Sequence, residues 1–274
     1  MPFTPSHAVV ALGFVRTPLV PAAVAIGAMT PDLPLFTRGM ALSYSFTHAP
    51  QNLLWTTLIA FALFLLWRGV LRPVAPALAP EWVRRRLPGD WRMPASASVR
   101  GALGAGAGRA YPVLLALSLA IGVVTHIVWD AFTHEGRWGV NAIAALGEMW
   151  GPLPGYKWLQ HGSSLLALAI IGIWAVVWML RRRPVPAGPR GIPGWVAAAW
   201  AVSLPALLAA ATAWTLAQRG PLDEVFTLQH LMYAALPPAC GIWGAITLLL
   251  CGAVVVLRGG ADAASASEIA EKSS

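Results

Sequence analysis

The sequence predicts an all-α polytopic integral membrane protein, a helix bundle of about five full spans plus an N-terminal apolar hairpin or sixth span. Three observations predict it. Of 274 residues, 57% are hydrophobic and 11% are charged, less than half the roughly 25% charge of an ordinary soluble domain. Mean hydropathy is +0.64. Five apolar runs reach or approach the about 20 residues that cross a bilayer. This much apolar surface cannot be hidden in one water-soluble core, and it excludes disorder for most of the chain.

The runs are, in order, residues 53–71, 112–132, 164–180, 195–217 and 231–257. Arg68 lies near the end of the first and can snorkel to the headgroups. Pro205 interrupts the fourth run, and Pro237 and Pro238 the fifth, where each removes a backbone hydrogen bond. The stretch 8–29 is apolar but carries Arg16, Pro18 and Pro21 at its centre. It reads either as a poor sixth span or as a hairpin of two half-length helices. A hairpin of that kind is tolerated only where the rest of the protein buries it. The frame is a single membrane domain over 1–258. Within it lie an N-terminal hairpin and loop (1–50), an Arg-rich loop (72–110) and an interfacial loop (134–163). A small, polar tail (259–274) is expected to be disordered. The start, MPFTPSHAVV, has no basic region of the kind that opens a cleavable signal peptide.

The net charge of +8 does not point to nucleic acid, because the basic residues concentrate in two loops between apolar runs. The segment 68–109 holds eight arginines and the segment 181–190 holds four. The opposite loops carry Arg38, Arg137, Lys157 and Arg219. By the positive-inside rule the Arg-rich loops and the C-terminus are cytoplasmic, and the protein is integral to the cell (inner) membrane. The triplet Arg84-Arg85-Arg86 reads first as a topology signal and second as a site for anionic headgroups. Trp138, Trp150, Tyr156 and Trp158 in the 134–163 loop suit an interfacial belt. Cys240 and Cys251 sit eleven residues apart, about 16 Å on a helix, too far for a disulfide.

The chemistry-bearing residues gather at one end. His126, Asp130 and His134 follow one another at spacings of four, within one 80° arc of a helix. Such a stripe at the bilayer edge is costly unless compensated, and a divalent metal, zinc above all, compensates it directly. His126 and His134 are about 12 Å apart on a straight helix, so either the helix ends before His134 or Asp130 lies between two ions. Asp32, His48, His161 and His230 precede or follow spans on the same side. His7 joins them if 8–29 is a hairpin, and this convergence favours the hairpin. Asp32 is a candidate ligand or general base. Gln160, His161, Arg137 and Lys157 are candidates to support the site or bind substrate.

These segments carry a resemblance. Pro2-Phe-Thr-Pro-Ser-His7-Ala with Gly27-Ala-Met-Thr-Pro-Asp32-Leu-Pro, His126-Ile-Val-Trp-Asp130-Ala-Phe-Thr-His134, and Leu159-Gln160-His161-Gly162-Ser163-Ser164 resemble a bacterial membrane-protein family known as domain of unknown function 4184. The likeness covers roughly residues 1–50 and 120–165. That family is similar in pattern to inner-membrane metal-dependent hydrolases, which share a His-x-x-x-Asp motif with zinc-dependent phospholipase C. The resemblance implies His126 and Asp130 as metal ligands, with His7, Asp32, His48 and His134 as further candidates. Together the residues favour a membrane-embedded metallohydrolase, using one or two ions, that acts on a phosphoester or lipid-linked substrate at the outer headgroup level. The alternatives are a non-catalytic membrane scaffold and a proton- or metal-handling transporter. The lipid bilayer is the expected partner, and the sequence leaves the oligomeric state open.

Overall fold

A computed structural model describes residues 3–37 and 41–272; Arg38 lies outside the described residues. The architecture is all-α, with five helices long and apolar enough to cross a membrane: Pro50–Leu78, Tyr111–Thr133, Gly155–Arg181, Gly194–Arg219 and Leu228–Gly260. They cover the five predicted runs. The first extends well past residue 71, through a π-helical turn at Trp67–Leu71. Pro73 has no N–H to offer the carbonyl four residues back, which is where such an irregularity is expected.

The chain divides into two compact units. The first comprises residues 3–34, 41–64 and 106–182. It opens with an eleven-residue 3-10 segment, Thr4–Phe14, followed after a short reversal by α1 (Pro21–Met29). The stretch 8–29 is therefore two pieces packed on each other. At about 2.0 Å per residue for a 3-10 helix and 1.5 Å for an α-helix, neither reaches the roughly 30 Å of the hydrocarbon layer. Pro18 and Pro21 explain the break, and Pro21 stands in the first turn of α1, where its missing N–H costs nothing.

A 3-10 turn, Thr30–Asp32, continues from α1. Next comes α2 (Tyr44–His48), whose first turn is capped by Ser43 Oγ accepting from Phe46 N at 3.2 Å. The span helices follow as α3 (Leu53–Leu66), α4 (Arg72–Leu78), α5 (Tyr111–Thr133), α6 (Gly155–Arg181), α7 (Gly194–Arg219) and α8 (Leu228–Lys272). A Cβ on Gly27 of α1 would lie 2.3 Å from Leu119 O, and one on Gly122 of α5 would lie 2.3 Å from Val24 O. α1 and α5 thus cross backbone to backbone, as small residues allow in membranes. The 3-10 segment is tied to α6 by Phe3 N donating to Ser164 Oγ at 3.1 Å. The loop from α5 to α6 folds around Val140, Leu146 and Tyr156. Trp138, Trp150 and Trp158 are exposed as an interfacial belt requires, whereas Tyr156 is buried in that small core.

The second unit holds residues 35–37, 65–105 and 183–272. Val74, Ala77 and Leu78 of α4 pack on Cys251 and Val254 of α8. Pro205, Pro237 and Pro238 sit inside their helices without ending them. α8 is helical as far as Lys272, into the stretch from 259 where the sequence predicts a disordered tail. Its alanines and glutamates are good helix formers that prolong a helix already started. Cys240 and Cys251 are both free thiols.

Candidate metal centre

Four buried side chains of the first unit converge: Asp32, His48, His126 and Asp130, with one ligand atom of each within 4.8 Å of all the others. Local structure explains the convergence. His126 and Asp130 are one turn apart on α5, one turn beyond the Gly122 crossing. Asp32 sits on the turn that leaves α1. His48 closes α2, which Thr47 Oγ1 holds to that turn by donating to Pro31 O at 2.7 Å.

Hydrogen bonds fix the tautomers. His126 Nδ1 lies 2.7 Å from Ala28 O, and His48 Nδ1 lies 2.9 Å from Tyr44 O. A carbonyl only accepts, so each Nδ1 is the donor, and each ring, when neutral, turns a bare Nε2 inward. These Nε2 atoms are 3.1 Å apart. His126 Nε2 is 3.6 Å from Asp32 Oδ1 and 3.5 Å from Asp130 Oδ2. His48 Nε2 is 3.9 Å and 3.5 Å from the same two oxygens. Ligands 2.0–2.1 Å from a tetrahedral ion are separated by about 3.3 Å. The donor set and its spacing therefore suit a divalent ion, which also answers the two facing lone pairs.

The surrounding contacts orient the carboxylates. Thr4 Oγ1 donates to Asp32 Oδ2 at 2.6 Å, leaving Oδ1 for the group. Tyr44, stacked on His48 with ring centroids 3.6 Å apart, donates its hydroxyl to Asp130 Oδ2 at 3.1 Å. The sequence reading singled out neither Thr4 nor Tyr44. The signal for Tyr44 was its place one helical turn before His48.

The other expected residues fall at different distances from the four. His7 stacks on His126 at 3.9 Å, and its Nε2 is 3.5 Å from Asp130 Oδ1. Both atoms are buried and have no hydrogen-bond partner among the described residues. His134, expected as a ligand, lies beside Asp130, with its Nδ1 3.5 Å from Asp130 Oδ2, but is not one of the four. α5 ends at Thr133, and His134 turns to extended backbone at ψ 135°. Its Nδ1 donates to Asp130 O at 3.1 Å, and its Nε2 accepts from Gln160 Nε2 at 3.3 Å. Both nitrogens are thereby engaged. Gln160 is fully buried, and its Oε1 accepts from Lys157 Nζ at 3.2 Å. A polar chain thus runs Lys157–Gln160–His134–Asp130. Arg137 is half-buried, close enough to act electrostatically on His134 and Tyr44. His161 is exposed and is not one of the four. In the second unit, His230 Nδ1 bonds the Thr227 hydroxyl at 3.0 Å.

Burial dominates the electrostatics. It pushes the His7 imidazole down to about 3, aided by the neighbouring His126 ring. It holds the Asp32 carboxyl above the usual carboxylate range and the Tyr44 phenol above its ordinary value, with Asp130 adding to the latter. Burial likewise keeps His134 below the usual imidazole range. Histidines that stay neutral keep lone pairs available.

A cleft of about 370 Å³ adjoins His7, walled by Val9, Val10, Leu166, Ala167 and Ile170, with Trp129 on one side. Its α6 wall, Ser163 to Ile170, runs about 10 Å along the helix.

A model of the family described as "Domain of unknown function (DUF4184)" matches residues 1–256. The match extends past the N-terminal and central segments that carry the sequence resemblance and takes in the later spans. No curated protein and no solved structure matches the chain. With all four converging residues and nearly the whole helical frame inside the matched region, the chain belongs to the DUF4184 family.

Proposed function

We propose that this protein is a membrane-embedded metal-dependent hydrolase acting on the phosphoester of a lipid or lipid-linked substrate at the outer headgroup level. The observation that carries the reading is the pair of bare Nε2 atoms of His48 and His126, 3.1 Å apart, joined by one oxygen each from Asp32 and Asp130. Two imidazoles and two carboxylates suit zinc among the common divalent ions. An ion held there supplies Lewis-acid polarisation of a phosphoryl oxygen and lowers the pKa of a bound water towards 7.

The chain's own groups divide the remaining work. Of the two roles expected for Asp32, ligand or general base, it takes that of ligand, because Thr4 fixes one oxygen and the other faces the histidines. His7 Nε2 and Asp130 Oδ1, facing each other without hydrogen-bond partners among the described residues, are the atoms left to take a proton from water, or those that would hold a second ion. Arg137 and Lys157 supply positive charge for a phosphate on the same side of the unit. The apolar cleft beside His7 supports an amphiphilic substrate: its walls suit a hydrocarbon chain while the head reaches the polar end.

The test is metal content by mass spectrometry of detergent-purified protein, beside Asp130→Ala, followed by hydrolysis of dodecyl phosphate and butyl phosphate. At least one tightly held ion per chain, lost in the variant, with faster cleavage of the long-chain ester, is the expected result. No retained ion after reloading with zinc or manganese would overturn the proposal. Retained metal with neither ester cleaved would leave a metal-binding scaffold.

A further inference from the structure

The second unit contains a cavity of about 310 Å³ whose lining includes Arg84, Arg92, Arg190 and Arg258 and, among the described residues, no acidic one. Four guanidinium groups do not gather round one cavity without something to offset their charge. Among the described residues, Asp90 pairs with Arg72, and Glu81 pairs with Arg85 at 3.8 Å. The four are held in place by carbonyls, which fix direction but carry no net charge. Arg84 donates to Gly188 O at 3.2 Å and Arg92 to Arg84 O at 2.9 Å. Arg190 donates to Ala77 O at 2.7 Å and Arg258 to Arg190 O at 3.3 Å.

Two details indicate a built site. Arg84 is buried, yet its Nε has no partner among the described residues. The backbone also makes room: Gly191 has φ +72°, and a Cβ there would lie 2.9 Å from Arg258 Nη2. A glycine at this position keeps that guanidinium in the lining.

We infer that this cavity binds a phosphate group. Guanidinium forks match the paired oxygens of a phosphate and bind it bidentately, and the surrounding loops join the ends of apolar spans, where headgroup phosphates lie. The phosphate comes either from an anionic membrane lipid or from a soluble phosphate, and the chemistry of recognition is the same. The site is independent of the metal centre.

The experiment uses the full chain, stripped of lipid in detergent, with thermal unfolding as readout. Inorganic phosphate is titrated at constant ionic strength. In parallel, the protein is placed in nanodiscs of phosphatidylcholine with and without phosphatidylglycerol. Stabilisation by phosphatidylglycerol alone assigns a lipid headgroup; stabilisation by inorganic phosphate as well assigns a free-phosphate site. In either case Arg258→Gln is expected to weaken the apparent affinity by about tenfold or more. Arg92 is exposed, so Arg92→Gln carries little risk to folding and is expected to shift the titration in the same direction. No stabilisation by either phosphate source, or equal stabilisation of wild type and both variants, would overturn the inference.

Discussion

His48 and His126 face each other through Nε2 atoms 3.1 Å apart while each commits its Nδ1–H to a backbone carbonyl. While both rings are neutral, neither can donate to the other without giving up that bond. A cation between them removes the conflict, and binding only to the folded state it stabilises the fold. Chelation is therefore expected to lower the unfolding temperature of the wild type and leave His126→Ala unmoved. His126→Ala and His48→Ala should each weaken metal affinity by more than the roughly 100-fold that outer contacts give. Metal titration followed by thermal scans measures both effects. Equal sensitivity of wild type and variants to chelator would refute the pairing.

His134 and Gln160 make a graded contrast. They support Asp130 through its backbone and one another, and neither offers a free atom to the ion. His134→Ala and Gln160→Ala should each cost about 10–100-fold in metal affinity, the range for groups that orient a ligand. Lys157→Ala, one step further out, should cost less. If His134→Ala removed the ion as completely as His126→Ala, His134 would be a ligand after all.

The sequence disclosed some of this and hid the rest for physical reasons. His126 and Asp130 were legible because a spacing of four on a long apolar helix leaves one arrangement. Asp32 and His48 were legible from topology, since both flank apolar runs at the same end. His134 falls outside the four because the same spacing continues one residue past the helix end at Thr133, where the backbone turns to extended. Thr4 and the polar chain to Lys157 depend on side chains meeting across separate segments, which no local pattern encodes. The break in 8–29 followed from its prolines. The crossing of Gly27 with Gly122 joins residues 95 apart in sequence and becomes visible only in three dimensions.

That crossing gives a third prediction. Gly27→Ala or Gly122→Ala places a methyl 2.3 Å from a backbone oxygen on the facing segment. Backbone cannot swing aside as a side chain can, so α1 and α5 must separate. Overpacking costs typically about 1–3 kcal/mol, and more against a rigid wall. The Ala28 carbonyl that orients His126 lies next to Gly27, so metal retention should fall together with stability. Gly162→Ala on α6, where a Cβ meets nothing within 4 Å, is the control and should be neutral or slightly stabilising. Thermal unfolding and metal content of the three purified variants decide it.

Sidedness gives the fourth prediction. In the first unit the metal group sits where α5 ends and just ahead of α3, the side that the Arg-rich loops do not share along the chain. Arg84, Arg92 and Arg190 are bonded to backbone carbonyls, but a neutral acceptor does not discharge a guanidinium, so they still count in the positive-inside balance. On that balance the metal group is expected outside. With Cys240 and Cys251 replaced by alanine, Ala142→Cys is expected to react with a membrane-impermeant maleimide added to intact cells. Val185→Cys, in the Arg-rich segment before α7, should react only after lysis. Both positions are exposed, so a failure to label reports the membrane rather than burial. The reverse pattern would place the metal centre at the cytoplasmic leaflet and move the expected substrate to lipids and lipid-linked precursors on that face.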